Sequence, residues 1–225
     1  MKRVLFFTAL LGMGFIQAQG GEQKKNKLAI EKGTWNLAGN FSFGFSDQNL
    51  NYADSSTDQN SSFASFAPAL GYFIATDIQL GLGGGYGFRN DNTQFVGGVQ
   101  TTDMDYRRNT FTLYPFVRKY FGLSKNFALY LQAEGRYDRS KIEQKTTNGD
   151  ILNADSSSDS LFMGIRPGLT FFVSNNFAFE TGLGSVGYET ASYNTNSNTT
   201  SESDGNSFNL NLSSSDLIFG LSYYF

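Results

Sequence analysis

The sequence predicts an all-β protein, an eight-stranded antiparallel up-and-down transmembrane β-barrel with short turns at one end and long loops at the other. Two observations predict this fold. From Thr34 onward, apolar residues recur at every second position, which is the period of a strand with one apolar face. Short polar turns alternate with long segments rich in Ser, Thr, Asn and Asp, as expected for hairpins joined by solvated loops.

The alternating pattern divides the chain into eight segments of strand length. Their approximate bounds are 34–46, 63–75, 78–89, 106–121, 126–139, 158–173, 177–192 and 206–225. Four polar segments between them are predicted as the long loops, at 47–62, 90–105, 140–157 and 193–207. No amphipathic helix separates the strands, which disfavours a parallel sheet of βαβ units.

Three hairpins share one sequence pattern. Each starts at a proline, continues with apolar residues at alternate positions and reaches a tight polar turn that ends in Asp or Asn. The three copies cover 68–80, 115–129 and 167–179. The chain therefore contains an internal repeat of one hairpin.

The chain of 225 residues contains neither histidine nor cysteine. Ser-His-Asp and Cys-His nucleophile chemistry, His-ligated zinc, thiolate metal sites and disulfide bonds are therefore excluded. Glu134 and Glu180 lie on the polar side of their strands, but arginines share that side, so structural ion pairs are expected there. We expect no enzyme activity, no cofactor and no metal site.

The first residues have the pattern of an export signal. Lys2 and Arg3 precede an apolar stretch over 4–11, and Ala18 supplies a small residue where a signal peptidase could cut. We predict a signal peptide over 1–18, a periplasmic tail outside the fold over 19–33, and the barrel over 34–225. The formal net charge of −3 disfavours binding to nucleic acid.

The apolar face of the strands is predicted to meet lipid. The alternative is a soluble sandwich of two sheets, which would also alternate. The apolar face is rich in aromatic residues near the strand ends, as in the girdles of membrane barrels, whereas the opposite face is small and polar. In lipid, only a closed barrel satisfies all backbone hydrogen bonds of such strands. We expect Leu80, Leu113, Leu129 and Leu169 to face the acyl chains.

The last strand carries a family resemblance. Its apolar residues alternate up to the final residue, at Leu217, Phe219, Leu221, Tyr223 and Phe225. Over 34–225, the sequence resembles the small outer-membrane β-barrel proteins of Gram-negative bacteria, the OmpA transmembrane-domain and OmpX type, in the version common among Bacteroidetes. The resemblance implies that these five residues are the signal read by the barrel-assembly machinery. Phe208, Leu210 and Leu212 have the opposite parity, which predicts a bulge within 213–216.

The resemblance also implies a location and a set of partners. We expect a multi-pass protein of the outer membrane, with short periplasmic turns and long extracellular loops. Both ends of the barrel chain, its first and its last strand end, would lie on the periplasmic side. Its surroundings would be outer-membrane lipid and lipopolysaccharide. A monomer is expected, and the extracellular loops are compatible with a ligand outside the cell.

The polar side chains are predicted to fill the lumen, because an eight-stranded barrel is only wide enough for its own side chains. The predicted inward set is Arg89, Tyr114, Phe116, Arg118, Tyr130, Gln132, Glu134, Arg136, Phe162, Arg166, Phe172, Glu180 and Tyr188. Buried charges require partners, so Glu134 and Glu180 should each contact one of Arg118, Arg136 and Arg166. Glu134 with Arg166 is the first expected pair.

Two functions remain compatible with the sequence. The first is a non-enzymatic outer-membrane barrel that presents polar surface loops for adhesion, envelope stability or ligand contact. The alternative is a narrow porin-like channel or a transporter of hydrophobic solutes. The packing of the lumen distinguishes between them, because a filled lumen leaves no continuous path for a solute.

Overall fold

The computed structural model describes residues 27–52, 55–97, 100–146, 154–196, 201–211 and 218–225. They form ten β-strands, and no helix among these residues is long and apolar enough to cross a membrane. The strands are β1 (Trp35–Tyr52), β2 (Ser55–Ala75), β3 (Ile78–Gly97), β4 (Gln100–Gly122), β5 (Phe127–Thr146), β6 (Ala154–Phe172), β7 (Phe177–Gly182), β8 (Ser185–Asn196), β9 (Ser201–Asn211) and β10 (Ile218–Tyr224).

The ten strands form an antiparallel ring of eight that closes beside the C-terminus, where β1 pairs with β10 over 36–40. Beyond Asn40, β1 pairs only with β2 among the described residues, and β9 pairs only with β8. Strands β1 to β6 pair in sequence order. β7 and β8 both pair with β6 and are two halves of the seventh barrel strand, while β10 and β9 are two halves of the eighth. β10 pairs with β1, and the backbones of Trp35 and Phe225 close the ring with hydrogen bonds of 2.7 and 2.9 Å. The predicted eight-stranded antiparallel barrel is confirmed.

The two ends of the barrel differ. The turn end holds the short connections 76–77, 123–126 and 173–176, together with the C-terminus. The strand ends that flank the four long connections between barrel strands, at 52 and 55, 97 and 100, 146 and 154, and 196 and 201, lie at the loop end. Apolar side chains cover the outside near the turn end, and the predicted lipid-facing positions Leu80, Leu113, Leu129 and Leu169 all alternate with inward-facing residues.

The strands are longer than the sequence predicts. β1 to β6 contain 18 to 23 residues, about twice the roughly 9–11 that a tilted transmembrane strand needs. Most of each predicted loop is paired strand, as in the hairpin of β1 and β2, whose ladder continues to Tyr52 opposite Ser55. We call these polar parts the strand extensions. They comprise 47–52, 55–62, 90–97, 100–105, 140–146, 154–157, 193–196 and 201–207.

The repeated prolines mark repeated gaps in the sheet. Pro68, Pro115 and Pro167, each with the residue before it, have no partner on the following strand. Proline has no N–H to donate to a ladder, which explains why the gap occurs at the same place in each hairpin. The internal repeat in the sequence is therefore also a repeat in the structure.

The third gap changes the register. Gly168 pairs with Gly182, but Ile165 pairs with Val186, so one extra residue lies between β7 and β8. Gly184 there has φ of +107°, a backbone conformation that glycine adopts without strain.

A one-residue slip reverses which face each side chain occupies. Tyr188 pairs with the outward-facing Met163 and is exposed. Its predicted inward position is therefore wrong.

The eighth barrel strand changes parity in the same way. Phe208 and Leu210 in β9 are exposed at even positions, whereas Phe219 and Leu221 in β10 are exposed at odd positions. The opposite parity expected from the sequence is confirmed. The predicted bulge at 213–216 lies outside the described residues.

Residues 28–33 form an N-terminal plug at the turn end. The N–H of Leu28 donates to the Ser124 carbonyl at 2.7 Å, and the backbone of Ile30 exchanges two hydrogen bonds with Asp77. Ile30 is only 6% exposed, so the expectation that this segment lies outside the fold is wrong for its described part. A Cβ at Gly122 would collide with the Leu28 carbonyl, and glycine therefore permits the close approach of the plug.

Candidate functional site

An aromatic layer closes the lumen at the turn end. Phe73, Tyr120, Tyr130, Phe172 and Tyr224 point inward from five strands and are buried, with Ile30 of the plug packed against them. The ring centroids of Phe172 and Tyr224 lie 4.8 Å apart, and those of Phe73 and Tyr120 lie 5.5 Å apart. Aromatic rings at these distances attract one another beyond simple burial, so the layer is a packed floor.

A buried ion pair lies directly above the aromatic layer. Arg118 Nη1 donates to Glu180 Oε2 at 2.7 Å, and both side chains are less than 10% exposed. The guanidinium also donates to Gln132 Oε1 at 2.7 and 2.9 Å and lies 4.2 Å from the Tyr130 ring. Tyr224 donates to the other oxygen of Glu180 at 2.9 Å. This pair therefore has the additional hydrogen bonds that a buried charge requires.

A second charged cluster continues the network upward. Glu134 accepts a hydrogen bond from Arg166 at 3.2 Å, so the pair expected first from the sequence is present. Glu134 also lies 3.7 Å from Arg136 and accepts from Gln132 at 2.6 Å. Arg136 in turn contacts Asp138 at 3.0 Å. Both glutamates are engaged by arginine, which opposes a free catalytic carboxylate in either position.

The structure brings all five charged residues of the predicted network together. Their connection through Gln132 and the contribution of Asp138 and Tyr224 were not anticipated. Asp138 has the same parity as Glu134 and Arg136, so extending the alternation by one step would have found it. Tyr224 lies on β10, which pairs with the strand of Glu180, and it alternates with the outward-facing Tyr223, so the same step applied to the last strand would have placed it in the lumen.

A cavity of about 430 Å³ lies above this network and extends toward the loop end. Arg118 and Glu180 are part of its floor, and Arg89 and Arg108 line its upper part. At the rim, Arg89 contacts Asp91 at 2.9 Å. Burial raises the pKa of Asp91, but the hydroxyl of Ser61 and the Arg89 guanidinium outweigh it, so the pKa lies below its usual value.

Among the residues that the structure describes, no group of three acidic side chains is arranged to hold a metal ion. The charged groups of the lumen are instead arranged as ion pairs and hydrogen bonds. The ion pairs can therefore hold strands of the barrel wall together, and the arginines present guanidinium groups to the cavity.

The proposed assembly signal lies on the outer face of β10. Phe219, Leu221 and Tyr223 are exposed at alternate positions, and Phe225 follows them at the point of ring closure. Leu217 lies outside the described residues. Recognition by an assembly machinery stays a prediction for these residues.

Deleting Phe225 is expected to lower the yield of folded barrel in the membrane. The deletion removes the terminal aromatic residue and the two backbone hydrogen bonds to Trp35. Heat-modifiable mobility in gel electrophoresis measures the folded fraction. Phe225→Ala keeps the backbone hydrogen bonds, so it separates the loss of the aromatic side chain from the loss of those bonds. Deletion of one residue within 197–200 is the control. Equal yields for the Phe225 deletion and the control would contradict the prediction.

Comparisons with known proteins identify the fold. No protein-family model and no curated protein matches the sequence. The outer membrane protein OprG from Pseudomonas aeruginosa is similar in structure, with a TM-score of 0.50, 12% identity, and coverage of 87% of this chain and 97% of that chain. Neisserial surface protein A is matched with a TM-score of 0.39 and 18% identity, over 88% of this chain and 99% of that chain. With its closed ring of eight hydrogen-bonded strands, this chain has the fold of a small outer-membrane β-barrel protein.

Proposed function

We propose that the protein is a non-enzymatic barrel of the bacterial outer membrane that conducts no solute and acts through its strand extensions. These would lie outside the cell and provide surface for adhesion, envelope stability or ligand contact. The observation that carries the proposal is the closed turn end of the lumen. There the N-terminal plug, the aromatic layer and the Arg118–Glu180 pair follow one another along the barrel axis.

The length of the strands supports a role at the surface. About half of each of β1 to β6 exceeds the bilayer requirement, and that half is rich in Ser, Thr, Asn and Asp. Paired strands hold these polar residues in a fixed arrangement, which suits contact with a partner better than a solvated loop does. Outer-membrane barrels have short periplasmic turns and long extracellular connections, so we assign the turn end to the periplasm.

The narrow-channel alternative fits this lumen less well. A conducting path would have to pass Tyr120 and Phe73, which are 1% and 0% exposed. It would also have to separate Arg118 from Glu180, and breaking a buried ion pair is costly. The cavity on the loop side of this pair ends at Arg118 and Glu180.

We expect the folded full-length protein to give no stable single-channel conductance in planar lipid bilayers. The physical reason is the packed floor at the turn end, which leaves no continuous water path. A porin of known conductance, inserted in the same bilayers, provides the positive control. Stable conductance steps from this protein would favour the channel alternative and overturn the proposal.

The assigned orientation predicts which connections an antibody can reach on intact cells. An epitope tag inserted at 98–99, at the loop end, should be labelled without permeabilisation. A tag inserted between Ser124 and Lys125, at the turn end, should be labelled only after the outer membrane is opened. The reverse pattern would place the strand extensions in the periplasm and refute a surface role.

A further inference from the structure

The cavity at the loop end contains more arginine than carboxylate. Its arginines are Arg89, Arg108, Arg118, Arg136 and Arg166. Three carboxylates line it, at Glu134, Asp138 and Glu180, and a fourth, Asp91, lies at its rim. Each of the four lies within salt-bridge distance of an arginine other than Arg108. Within the described parts of the chain, Arg108 has no carboxylate at that distance. The lining therefore holds more positive than negative groups, and Arg108 is its arginine without an ion-pair partner among the described residues.

The surroundings of Arg108 do not satisfy its guanidinium. Arg108 lies directly opposite Arg89 in the β3–β4 register, and like charges in this position destabilise a sheet. Arg108 Nη2 donates to the Tyr106 hydroxyl at 2.5 Å, but its Nε is buried without an acceptor among the described residues. A buried donor without an acceptor is costly, so an anion at this position would relieve both the charge and the missing hydrogen bond.

We propose that the cavity binds a small anionic molecule whose carboxylate or phosphate group pairs with Arg108. The planar guanidinium suits both groups, because it can donate two parallel hydrogen bonds to their oxygens. A monoanion would supply the carboxylate or phosphate partner that Arg108 lacks. This binding site goes beyond the proposed function and does not require conduction, since the ligand enters and leaves at the loop end.

The rest of the cavity suits an organic anion. Its volume of about 430 Å³ is in the range of small-molecule sites. Phe63 points inward with its ring against Gly44, where a Cβ would collide with it, and Tyr114 lines the cavity below it. The rings of these two residues provide apolar surface beside the charged end.

Calorimetric titration of the folded full-length protein in detergent micelles tests the proposal. The probes are benzoate, inorganic phosphate and benzylammonium, which has the shape of benzoate and the opposite charge. We expect saturable binding of at least one anion and none of benzylammonium. Binding of benzoate alone assigns the ligand to the carboxylates, and binding of phosphate alone assigns it to the phosphates. Binding of neither anion, or equal binding of benzylammonium, would overturn the proposal.

Three substitutions at two neighbouring positions locate the site. Arg108→Gln should weaken anion binding at least about tenfold, since it removes the guanidinium. Arg107→Gln is the matched control, because Arg107 is adjacent in sequence but exposed on the outer face. Arg108→Lys keeps the charge without the paired donors and should bind with intermediate affinity. Heat-modifiable mobility verifies folding of each variant, and equal weakening by the Arg107 and Arg108 variants would refute the site.

Discussion

Replacing Arg118 with Leu is expected to lower the free energy of unfolding by about 3–5 kcal/mol. The substitution leaves Glu180 at 6% exposure without its guanidinium partner, and it removes the donors to Gln132. A carboxylate with so little exposure is poorly solvated, so losing its partner is costly. Denaturant titration in lipid vesicles, followed by fluorescence of Trp35, measures the loss.

An exposed ion pair in the same barrel provides the control. Arg139 lies 3.9 Å from Asp159, with its side chain 57% exposed, and such pairs contribute about 0–1 kcal/mol. Arg139→Leu should therefore have little effect. The double variant Arg118→Leu with Glu180→Leu should recover part of the loss, because it removes both charges. Equal effects of the Arg118 and Arg139 substitutions would show that burial does not determine the strength of the pair.

The charged network could be predicted from the sequence because period-two alternation decides which side chains point inward. Glu134 and Arg166 have inward parity and lie near the middle of neighbouring strands, so their contact follows from register alone. The same argument failed for Tyr188. One extra residue at 183–184 reverses the parity of β8, and no alternation pattern marks this slip, because the matching gaps at Pro68 and Pro115 leave the register unchanged.

The strand extensions could not be recognised from alternation. Both of their faces are polar, so Asp47 to Tyr52 has the composition of a loop, although its backbone pairs through the whole hairpin. Pairing propagates outward from the apolar half of each hairpin, where burial sets the register. The N-terminal plug was missed for a related reason. Its one buried apolar side chain, Ile30, fits a space that exists only after the barrel has closed.

Replacing Leu82 with Arg is expected to cost about 2–4 kcal/mol of unfolding free energy. Leu82 lies near the middle of the outward apolar row that runs from Ile78 to Phe88 on β3, and it pairs with Leu70 and Pro115. A guanidinium at this depth has to be taken out of water, and no carboxylate faces it from either neighbouring strand position. Denaturant titration in vesicles measures the cost.

Gln94→Arg is the matched control, because Gln94 lies on the same face of the same strand but in a strand extension. Its neighbours across the sheet are Asp58 and Asp103, so an arginine there meets opposite charge and water. The cost should fall to nearly zero. The difference between the two variants depends on the solvent that surrounds each half of β3. Equal costs at Leu82 and Gln94 would mean that the apolar face does not meet lipid, and a barrel in water would then have to be considered.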